Sequence, residues 1–291
     1  MRMRIDGTDI EYDETGSGPA VVLVHAGCAD RRMWQAQFTA LGRTHRVIRY
    51  DWRGRGRSGD PVGPFAHHRD LIALLDALEV ERAAVVGASD GGRIALDAVL
   101  SAPRRFGALA LLASGLSGHL WPASLVERAR ERVHSLVPEE RLRRYRQGGA
   151  QVDPADVDAW AEAEAELLVA GPQRTRRALD RAVWQLAVEM DRLTSRRLWE
   201  GPSVPEQPLS PPASGRLAEV AVPTLVVSGL ADSPEILAVS RLLADGIPHA
   251  RHLELPDTGH LPAMERPAEV TAALGELLGS LSAAAGRRTV G

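Results

Sequence analysis

Ser89 is the first residue of this sequence whose surroundings indicate chemistry. It stands at the centre of a G-x-S-x-G pattern, Gly87 to Gly91, between an apolar run typical of a strand and an amphipathic stretch typical of a helix. Such a tight turn leaves room only for glycine on either side and exposes the serine hydroxyl at its apex. The helix would aim its first N–H groups at the point where an oxyanion develops. The pattern predicts a nucleophile, although a glycine-rich turn with an incidental serine has the same pattern.

Two further residues could supply the base and the acid that a nucleophilic serine needs. The hydroxyl requires a base, and the base requires an acid that orients it. Asp232 follows one apolar run and His260 follows the next, so both stand at the carboxyl ends of predicted strands. Asp257 lies only three residues before His260 and is interpreted as a turn-former. The chain order Ser89, Asp232, His260 therefore predicts a Ser-His-Asp triad.

Short apolar runs supply the strands that must position this triad. They alternate with amphipathic stretches, which predicts an α/β fold: a mostly parallel twisted sheet with helices on both faces. The runs cover residues 20–25, 45–50, 83–88, 108–113, 224–229 and 251–255, with an edge strand at 9–13. The helical stretches cover residues 31–41, 66–78, 91–101, 234–244 and 267–282.

The alternation of strands and helices stops between residues 115 and 215. This stretch contains only helical patterns, at 123–135, 138–146, 155–170 and 174–199, and then a proline-rich segment. A helical insertion at this place would cover the carboxyl ends of the strands, where open α/β sheets bind ligands. We predict a core of residues 1–114 and 216–291, with residues 115–215 as a helical cap.

The composition excludes several classes of chemistry. The chain has 291 residues, 44% of them hydrophobic and 25% charged, as in an ordinary globular protein. All 35 basic residues are arginine, which excludes a Schiff-base lysine, a P-loop lysine and a pyridoxal phosphate anchor. Cys28 is the single cysteine, so a disulfide within the chain and a cysteine-rich metal site are excluded. We expect no cofactor and no metal.

Charge and hydropathy limit the expected location and partners. The formal net charge of −3 gives no argument for nucleic acid binding. No apolar run approaches the ~18 residues of a membrane span, and no secretory apolar region follows the basic N-terminus. We therefore expect a cytoplasmic protein, either a monomer or a homodimer. Lysine and asparagine, whose codons are AT-rich, are both absent, which indicates a bacterial genome of high GC content.

The motifs together resemble the α/β-hydrolase fold superfamily over nearly the whole chain. Residues 23–28 (LVHAGC) resemble its His-Gly oxyanion loop, and residues 51–58 (DWRGRGRS) resemble its D-x-R-G-x-G-x-S turn. The resemblance implies Ser89 as nucleophile, Asp232 as acid and His260 as base. The first hundred residues look most similar to 3-oxoadipate enol-lactone hydrolases and related small esterases, and residues 25–37, with Arg32-Met33-Trp34, carry that likeness.

Two positions depart from the family pattern. Ala26 follows the histidine of the oxyanion loop, where the family usually has glycine. The resemblance then implies an oxyanion hole made by the backbone N–H groups of Gly27 and Asp90, with Cys28 as the alternative first donor. Asp90 itself stands where a neutral residue usually follows the nucleophile. Its carboxylate could simply stabilise the helix N-terminus, or it could repel anionic substrates or raise the pKa of His260.

Tryptophan is over-represented among the aromatic residues and supplies candidates for a substrate pocket. Six tryptophans stand against three phenylalanines and three tyrosines. Such rings suit an apolar acyl group, but those of the insertion could equally pack its helices together. Cys28 could be a reactive thiol beside the pocket or a small buried filler. The candidate substrate-binding residues are Trp34, Trp52, Cys28, Trp121, Trp160 and Trp184.

The sequence predicts a serine hydrolase that cleaves a small apolar carboxylic ester or lactone through an acyl-enzyme. Three alternatives stay open on the same fold. One is a cofactor-free perhydrolase or haloperoxidase-like enzyme. Another is a cyclase, lyase or C–C hydrolase of bacterial secondary metabolism, in which Ser89→Ala would retain activity. The third is a ligand receptor, which would bind without forming product. A nucleophilic aspartate is disfavoured because Ser89 occupies the apex of the turn.

Overall fold

A computed structural model of the chain describes residues 1–288, with side chains described through residue 279. The centre of this part of the chain is a sheet with the strands β1 (Arg2–Ile5), β2 (Thr8–Thr15), β3 (Ala20–Val24), β4 (Arg46–Tyr50), β5 (Ala83–Ala88), β6 (Phe106–Leu112), β7 (Thr224–Gly229) and β8 (Arg251–Leu255). They lie in the order β1-β2-β4-β3-β5-β6-β7-β8. The β1–β2 and β2–β4 pairs are antiparallel and the other pairs are parallel. The predicted mostly parallel sheet is thus confirmed.

Helices lie on both faces of this sheet and in the stretch between β6 and β7. They are α1 (Gln35–Leu41), α2 (His67–Ala77), α3 (Asp90–Ser101), α4 (Ala123–Arg132), α5 (Glu139–Tyr145), α6 (Pro154–Ala165), α7 (Arg181–Glu200), α8 (Pro234–Gly246), α9 (Pro262–Glu265) and α10 (Pro267–Arg288). The short α9, which directly follows His260, has no counterpart among the predicted helices.

Alternate residues of the central strands face two separate cores. Val22 and Val24 of β3 pack in the core that contains α2, α3 and α8, whereas Val21 and Leu23 pack in the core that contains α1 and α10. This period of two is that of a strand whose two faces are both covered. The strands β5, β6 and β7 are buried along their whole length, which explains their unbroken apolar runs.

The first strand is one that the sequence pattern does not predict. In β1, arginine alternates with methionine and isoleucine, and only Ile5 is buried. A turn at Asp6 and Gly7, both with positive φ, joins β1 to β2 as a hairpin. An exposed edge strand buries little apolar surface, so its composition gives no strand signal.

The stretch between β6 and β7 contains α4 to α7 and several short helical turns. The helix α6 continues into a π-helical turn, Glu166–Ala170, and α7 begins at Arg181. The predicted start at residue 174 is wrong, because Gly171-Pro172 ends the preceding helix and Asp180 caps the next one through the N–H groups of Ala182 and Val183. The boundaries of a cap at residues 115 and 215 stay a prediction.

The turn at residues 51–58 is built around a buried aspartate. Asp51 accepts hydrogen bonds from the backbone N–H groups of Arg31 and Arg57, each at 2.8 Å, and pairs with the Arg31 guanidinium. A Cβ on Gly56 would lie 2.2 Å from the Asp51 carboxyl carbon, so only glycine fits there. The D-x-R-G-x-G-x-S motif therefore has a structural function, because it stabilises the turn that follows β4.

Arg53 of the same turn is fixed by a second buried carboxylate. Its Nε and Nη2 donate to the two oxygens of Asp70 on α2, both at 2.8 Å. The arginine side chain is 1% exposed and the aspartate 4%. A bidentate pair of this kind compensates the burial of a guanidinium. Without a partner, the desolvation of that charge costs several kcal/mol.

Replacing Asp70 with alanine leaves the Arg53 guanidinium buried without its carboxylate. Removing one partner of a buried pair costs about 3–5 kcal/mol, so urea unfolding of Asp70→Ala should show a loss of that order. The exposed Arg4–Asp9 pair provides the matched control, because Asp9→Ala should change the free energy of unfolding little. Equal losses in the two variants would contradict the distinction between buried and exposed pairs.

Candidate active site

Ser89 lies at the junction of β5 and α3 with a backbone conformation that non-glycine residues rarely adopt. Its φ is +53° and its ψ is −121°. A Cβ on Gly87 would lie 2.2 Å from the carbonyl oxygen of Gly91, and one on Gly91 would lie 2.2 Å from that of His25. The turn is held by Ser89, whose N–H donates to the carbonyl of Leu112 at 2.9 Å. The two glycines therefore allow the close packing that places the serine at the apex.

The structure brings Ser89, His260 and Asp232 together in one hydrogen-bonded chain. Nε2 of His260 lies 2.8 Å from Oγ of Ser89, and Nδ1 lies 2.7 Å from Oδ2 of Asp232. The histidine is 3% exposed and the aspartate 4%. Oδ1 of Asp232 accepts the backbone N–H of Ser233 at 2.7 Å. This is the geometry in which a histidine can accept the serine proton while an acid fixes its orientation.

The loops after β7 and β8 are joined by backbone hydrogen bonds. The N–H of Ala231 donates to the carbonyl of Thr258 at 2.8 Å, and that of Leu230 donates to the carbonyl of Leu255 at 2.9 Å. A Cβ on Gly229 would lie 2.2 Å from the carbonyl oxygen of Gly259. Asp232 and His260 therefore stand on loops that are hydrogen-bonded to each other and closely packed.

The stretch between β6 and β7 also contacts these loops. Leu168 accepts the backbone N–H of His260 at 3.4 Å, and a Cβ on Gly171 would lie 2.1 Å from the carbonyl oxygen of Ala231. Arg174 donates to Glu265 at 2.9 Å and to the carbonyl of residue 257 at 2.5 Å.

Glu265 connects this contact to the backbone beside the histidine. Its Oε1 accepts the N–H of Gly259 at 2.7 Å while its Oε2 pairs with Arg174. Sequence reasoning missed both side chains, because an arginine in a loop and a glutamate in a short helix match no motif. Asp257 has a φ of +50°, as its interpretation as a turn-former predicts.

The environment of His260 raises its pKa. Burial lowers it, but the charge and the hydrogen bond of Asp232 and the charges of Asp90 and Glu164 together outweigh the burial. The site therefore favours the imidazolium that forms when the histidine accepts a proton.

Two backbone N–H groups beside Ser89 have no acceptor in the described part of the chain. They belong to Gly27 and to Asp90, which is the first residue of α3, whereas the N–H of Cys28 interacts with its own thiol. A Cβ on Gly27 would lie 2.8 Å from Oδ2 of Asp90. The oxyanion loop and the start of α3 are therefore in direct contact, as the predicted oxyanion hole requires.

The Asp90 carboxylate extends over this loop rather than away from it. The side chain is 52% exposed, and its Oδ1 lies 3.3 Å from Nε of Arg93. The same carboxylate stands in the first turn of α3, where the helix dipole stabilises it. Both interpretations of Asp90, the helix-stabilising one and the electrostatic one, agree with this position.

His25 and Trp52 form a buried aromatic pair behind the oxyanion loop. Their rings stack with centroids 4.9 Å apart, and Nε1 of Trp52 lies 2.8 Å from Nδ1 of His25. Burial lowers the pKa of His25 to about 4, so the ring is neutral at neutral pH. Trp34 is fully buried among apolar side chains of the core, without an acceptor for its Nε1 in the described residues.

The remaining candidate pocket residues have different surroundings. Trp121 is exposed and packs edge-on against His119. Trp160 stacks on His134, and its Nε1 donates to Glu164 at 2.6 Å. Trp184 is partly buried against the core that contains α10.

Cys28 is partly buried in the same core, close to acidic side chains. Burial raises the pKa of its thiol well above the usual value, and the charges of Asp191 and Glu164 raise it further. A thiol that stays protonated is a poor nucleophile. The structure therefore favours the interpretation of Cys28 as a small filler.

A group of ionisable side chains near the triad was not predicted. Glu164 of α6 and Asp191 of α7 lie close to each other, and burial raises the pKa of both. Arg55 follows Trp52 on the loop after β4, with its guanidinium 4.9 Å from the Trp52 ring. These residues are far apart in sequence and belong to no motif, so no pattern could have indicated that they meet.

The described residues contain no cluster of His, Cys, Asp or Glu side chains that could hold a metal ion. Among them there is also no helix with the length and apolar character needed to cross a bilayer.

Comparison with known proteins decides the family. The model of the α/β-hydrolase fold family matches residues 19–267. The chain belongs to this family. A carbamate hydrolase proposed in Azorhizobium caulinodans is 29% identical to this α/β hydrolase, over 87% of this chain and 88% of that protein. A non-heme bromoperoxidase proposed in Mycobacterium tuberculosis is also 29% identical, over 94% and 99%.

The structural comparison agrees with the family. The enol-lactonase from Burkholderia xenovorans LB400 superimposes on this α/β hydrolase with a TM-score of 0.67 and 26% identity, covering 96% of this chain and 100% of that one. The superfamily and the fold that the sequence motifs predicted are therefore confirmed.

Asp90→Asn should shift the pH dependence of catalysis to lower pH. A base must be neutral to accept a proton, so kcat/KM rises as pH passes through the pKa of His260. The Asp90 carboxylate raises that pKa, and its removal lowers it. A pH profile of kcat/KM on a neutral ester measures the shift. Asp90→Glu, which keeps the charge, is the control, and a profile of Asp90→Asn that superimposes on the wild type would contradict this electrostatic effect.

Proposed function

We propose that this protein is a serine hydrolase that cleaves a small carboxylic ester or lactone. The observation that carries the proposal is the pair of hydrogen bonds at 2.8 and 2.7 Å that join Ser89, His260 and Asp232. The similarity to a proposed carbamate hydrolase and to an enol-lactonase supports hydrolysis as the reaction class. Fold alone does not determine the substrate, so the choice of ester or lactone rests on the chemistry of an activated serine.

In the proposed mechanism, His260 accepts the Ser89 proton as the hydroxyl attacks the substrate carbonyl. Asp232 keeps the imidazole oriented and stabilises the imidazolium. His260 then gives the proton to the leaving alcohol, and an acyl-enzyme remains. Water, deprotonated by the same histidine, attacks this acyl group and releases the acid with the restored Ser89 hydroxyl.

The oxyanion of each tetrahedral intermediate would be held by backbone N–H groups. Gly27 and Asp90 are the proposed donors, with Cys28 as the alternative to Gly27. Support comes from the free N–H groups and from the close approach of the oxyanion loop to α3. A donor of this kind contributes on the order of 10²–10³ to the rate.

We further propose that residues 115–215 act as a cap. The contacts of Leu168, Gly171 and Arg174 with the loops of the acid and the histidine support this function. A segment tied to these loops encloses the reacting groups from one side and reduces their contact with water. Trp160 of this segment donates to Glu164 at 2.6 Å, and the charge of Glu164 raises the pKa of His260.

A perhydrolase is the second candidate function. The specific observation in its favour is the 29% identity to a proposed non-heme bromoperoxidase, which extends over 94% of this chain. The same acyl-enzyme would react with hydrogen peroxide instead of water and release a peracid. The two functions therefore share every step up to the acyl-enzyme and differ in the second nucleophile.

Hydrolysis of a panel of neutral nitrophenyl esters and lactones tests the proposal. We expect Ser89→Ala to lower kcat by roughly 10³-fold or more, while Ser101→Ala, a change at an exposed serine of α3, should leave it unchanged. A peracid assay with added hydrogen peroxide distinguishes the perhydrolase. Full turnover by Ser89→Ala would overturn the proposal and favour a reaction in which the triad is a bystander. Ligand binding without turnover by the wild type would favour a receptor.

A further inference from the structure

Arg55 carries a guanidinium that the protein leaves without an ionic partner. Its side chain is partly exposed while its Nε is fully buried and has no acceptor in the described residues. The one hydrogen bond it donates is long, 3.5 Å from Nη1 to the carbonyl of Gly54. A guanidinium has five N–H donors in a planar fork, so most of this donor capacity is open to a molecule outside the chain.

Two other arginines near this loop are paired. Arg53 binds Asp70 through two bonds of 2.8 Å, and Arg197 of α7 forms an ion pair with Asp60. Arg57 also has no ionic partner among the described residues, but its side chain is exposed to solvent. Burial without a partner is costly for a charged group. Arg55 is therefore the partly buried arginine of this loop that has no ionic partner in the described part of the chain, a departure that is expected where a residue has a function in binding.

Arg55 lies within reach of the reacting groups. Its guanidinium covers the ring of Trp52, and that ring stacks on His25, which begins the oxyanion loop. Burial lowers the pKa of Arg55, and the negative charges of Asp90 and Glu164 offset part of this effect. A Cβ on Gly91, two residues after Ser89, would lie 2.2 Å from the carbonyl oxygen of His25, so a continuous series of contacts joins the guanidinium to the turn that carries Ser89.

Glu164 and Asp191, two acids near Arg55, do not pair with it. Glu164 accepts the N–H of Trp160 at 2.6 Å, and Oδ1 of Asp191 accepts the hydroxyl of Ser195 at 3.3 Å. The buried Oδ2 of Asp191 has no donor in the described part of the chain. Burial raises the pKa of both acids, which disfavours their charged forms. Neither acid forms an ion pair with the Arg55 guanidinium among the described residues.

We propose that Arg55 is a binding site for a carboxylate of the substrate, and that the substrate class is a carboxylate-bearing ester such as a hemiester of a dicarboxylic acid. This inference rests on the proposed function and narrows its substrate. The planar fork of a guanidinium binds a carboxylate through two parallel hydrogen bonds. Asp90, next to the oxyanion loop, repels the same carboxylate, so the anion lies away from the scissile carbonyl and towards Arg55.

Two matched esters test this site. The nitrophenyl hemiester of glutaric acid carries a terminal carboxylate, and the corresponding glutaramic ester carries a neutral amide of the same length. We expect the wild type to prefer the hemiester. Arg55→Gln should lower kcat/KM for the hemiester on the order of 10- to 100-fold, chiefly through KM, because a hydrogen bond to a charged group is lost, and it should change the amide ester little.

The control variant is Arg57→Gln, which changes an exposed arginine two residues along the same loop and should leave both esters unaffected. Thermal unfolding gives a second readout. Since Arg55 lacks an ionic partner, Arg55→Gln should leave Tm unchanged or raise it, whereas an arginine with a structural role would lower Tm when replaced.

The outcomes separate this inference from the proposed function. Equal kcat/KM of the wild type for the two esters, or an equal loss on both in Arg55→Gln, overturns the Arg55 site and leaves the serine hydrolase intact. If Arg55→Gln has a lower Tm and an equal loss of kcat/KM on both esters, Arg55 stabilises the fold and does not bind the substrate carboxylate. Absence of Ser89-dependent hydrolysis of either ester overturns the proposed function, and this site with it.

Discussion

Close backbone packing at the carboxyl end of β5 is the constraint on which the site depends. The positive φ of Ser89 is unfavourable for a residue with a Cβ, and it persists because backbone hydrogen bonds fix both sides of the turn. Gly87 and Gly91 let α3 begin in contact with the oxyanion loop. Ser89, the first residue of α3 and the backbone of Gly27 therefore lie next to one another, and the loops after β7 and β8 bring Asp232 and His260 to the Ser89 hydroxyl.

The buried charges of the protein are compensated by partners close to them. The buried carboxylates and guanidiniums of the framework, such as Asp51 with Arg31 and Asp70 with Arg53, are paired and hydrogen-bonded. Near Ser89 the compensation is incomplete, because Asp90 is half-exposed and the Nε of Arg55 has no acceptor among the described residues. A site that is to bind a charged molecule must keep such groups available and accept their cost in stability.

The sequence predicts the parts of this structure that have local patterns. The central strands are buried on both faces, so β5 and β7 appear as apolar runs, and the triad residues are recognisable because each directly follows a strand. Contacts between distant segments have no such pattern. The pairing of Arg174 with Glu265, the proximity of Glu164 and Asp191 and the isolation of Arg55 arise only when the insertion packs on the core. The edge strand β1 was missed because an exposed strand needs few apolar residues.

The central claim is that His260 and Asp232 activate Ser89, and reaction with a fluorophosphonate tests it most directly. Phosphonylation needs a serine whose base accepts its proton, and intact-mass measurement counts the adducts without any knowledge of the substrate. The account predicts a single adduct on the wild type and on Ser101→Ala, and none on Ser89→Ala. An unlabelled wild type, or an adduct that persists in Ser89→Ala, would contradict it.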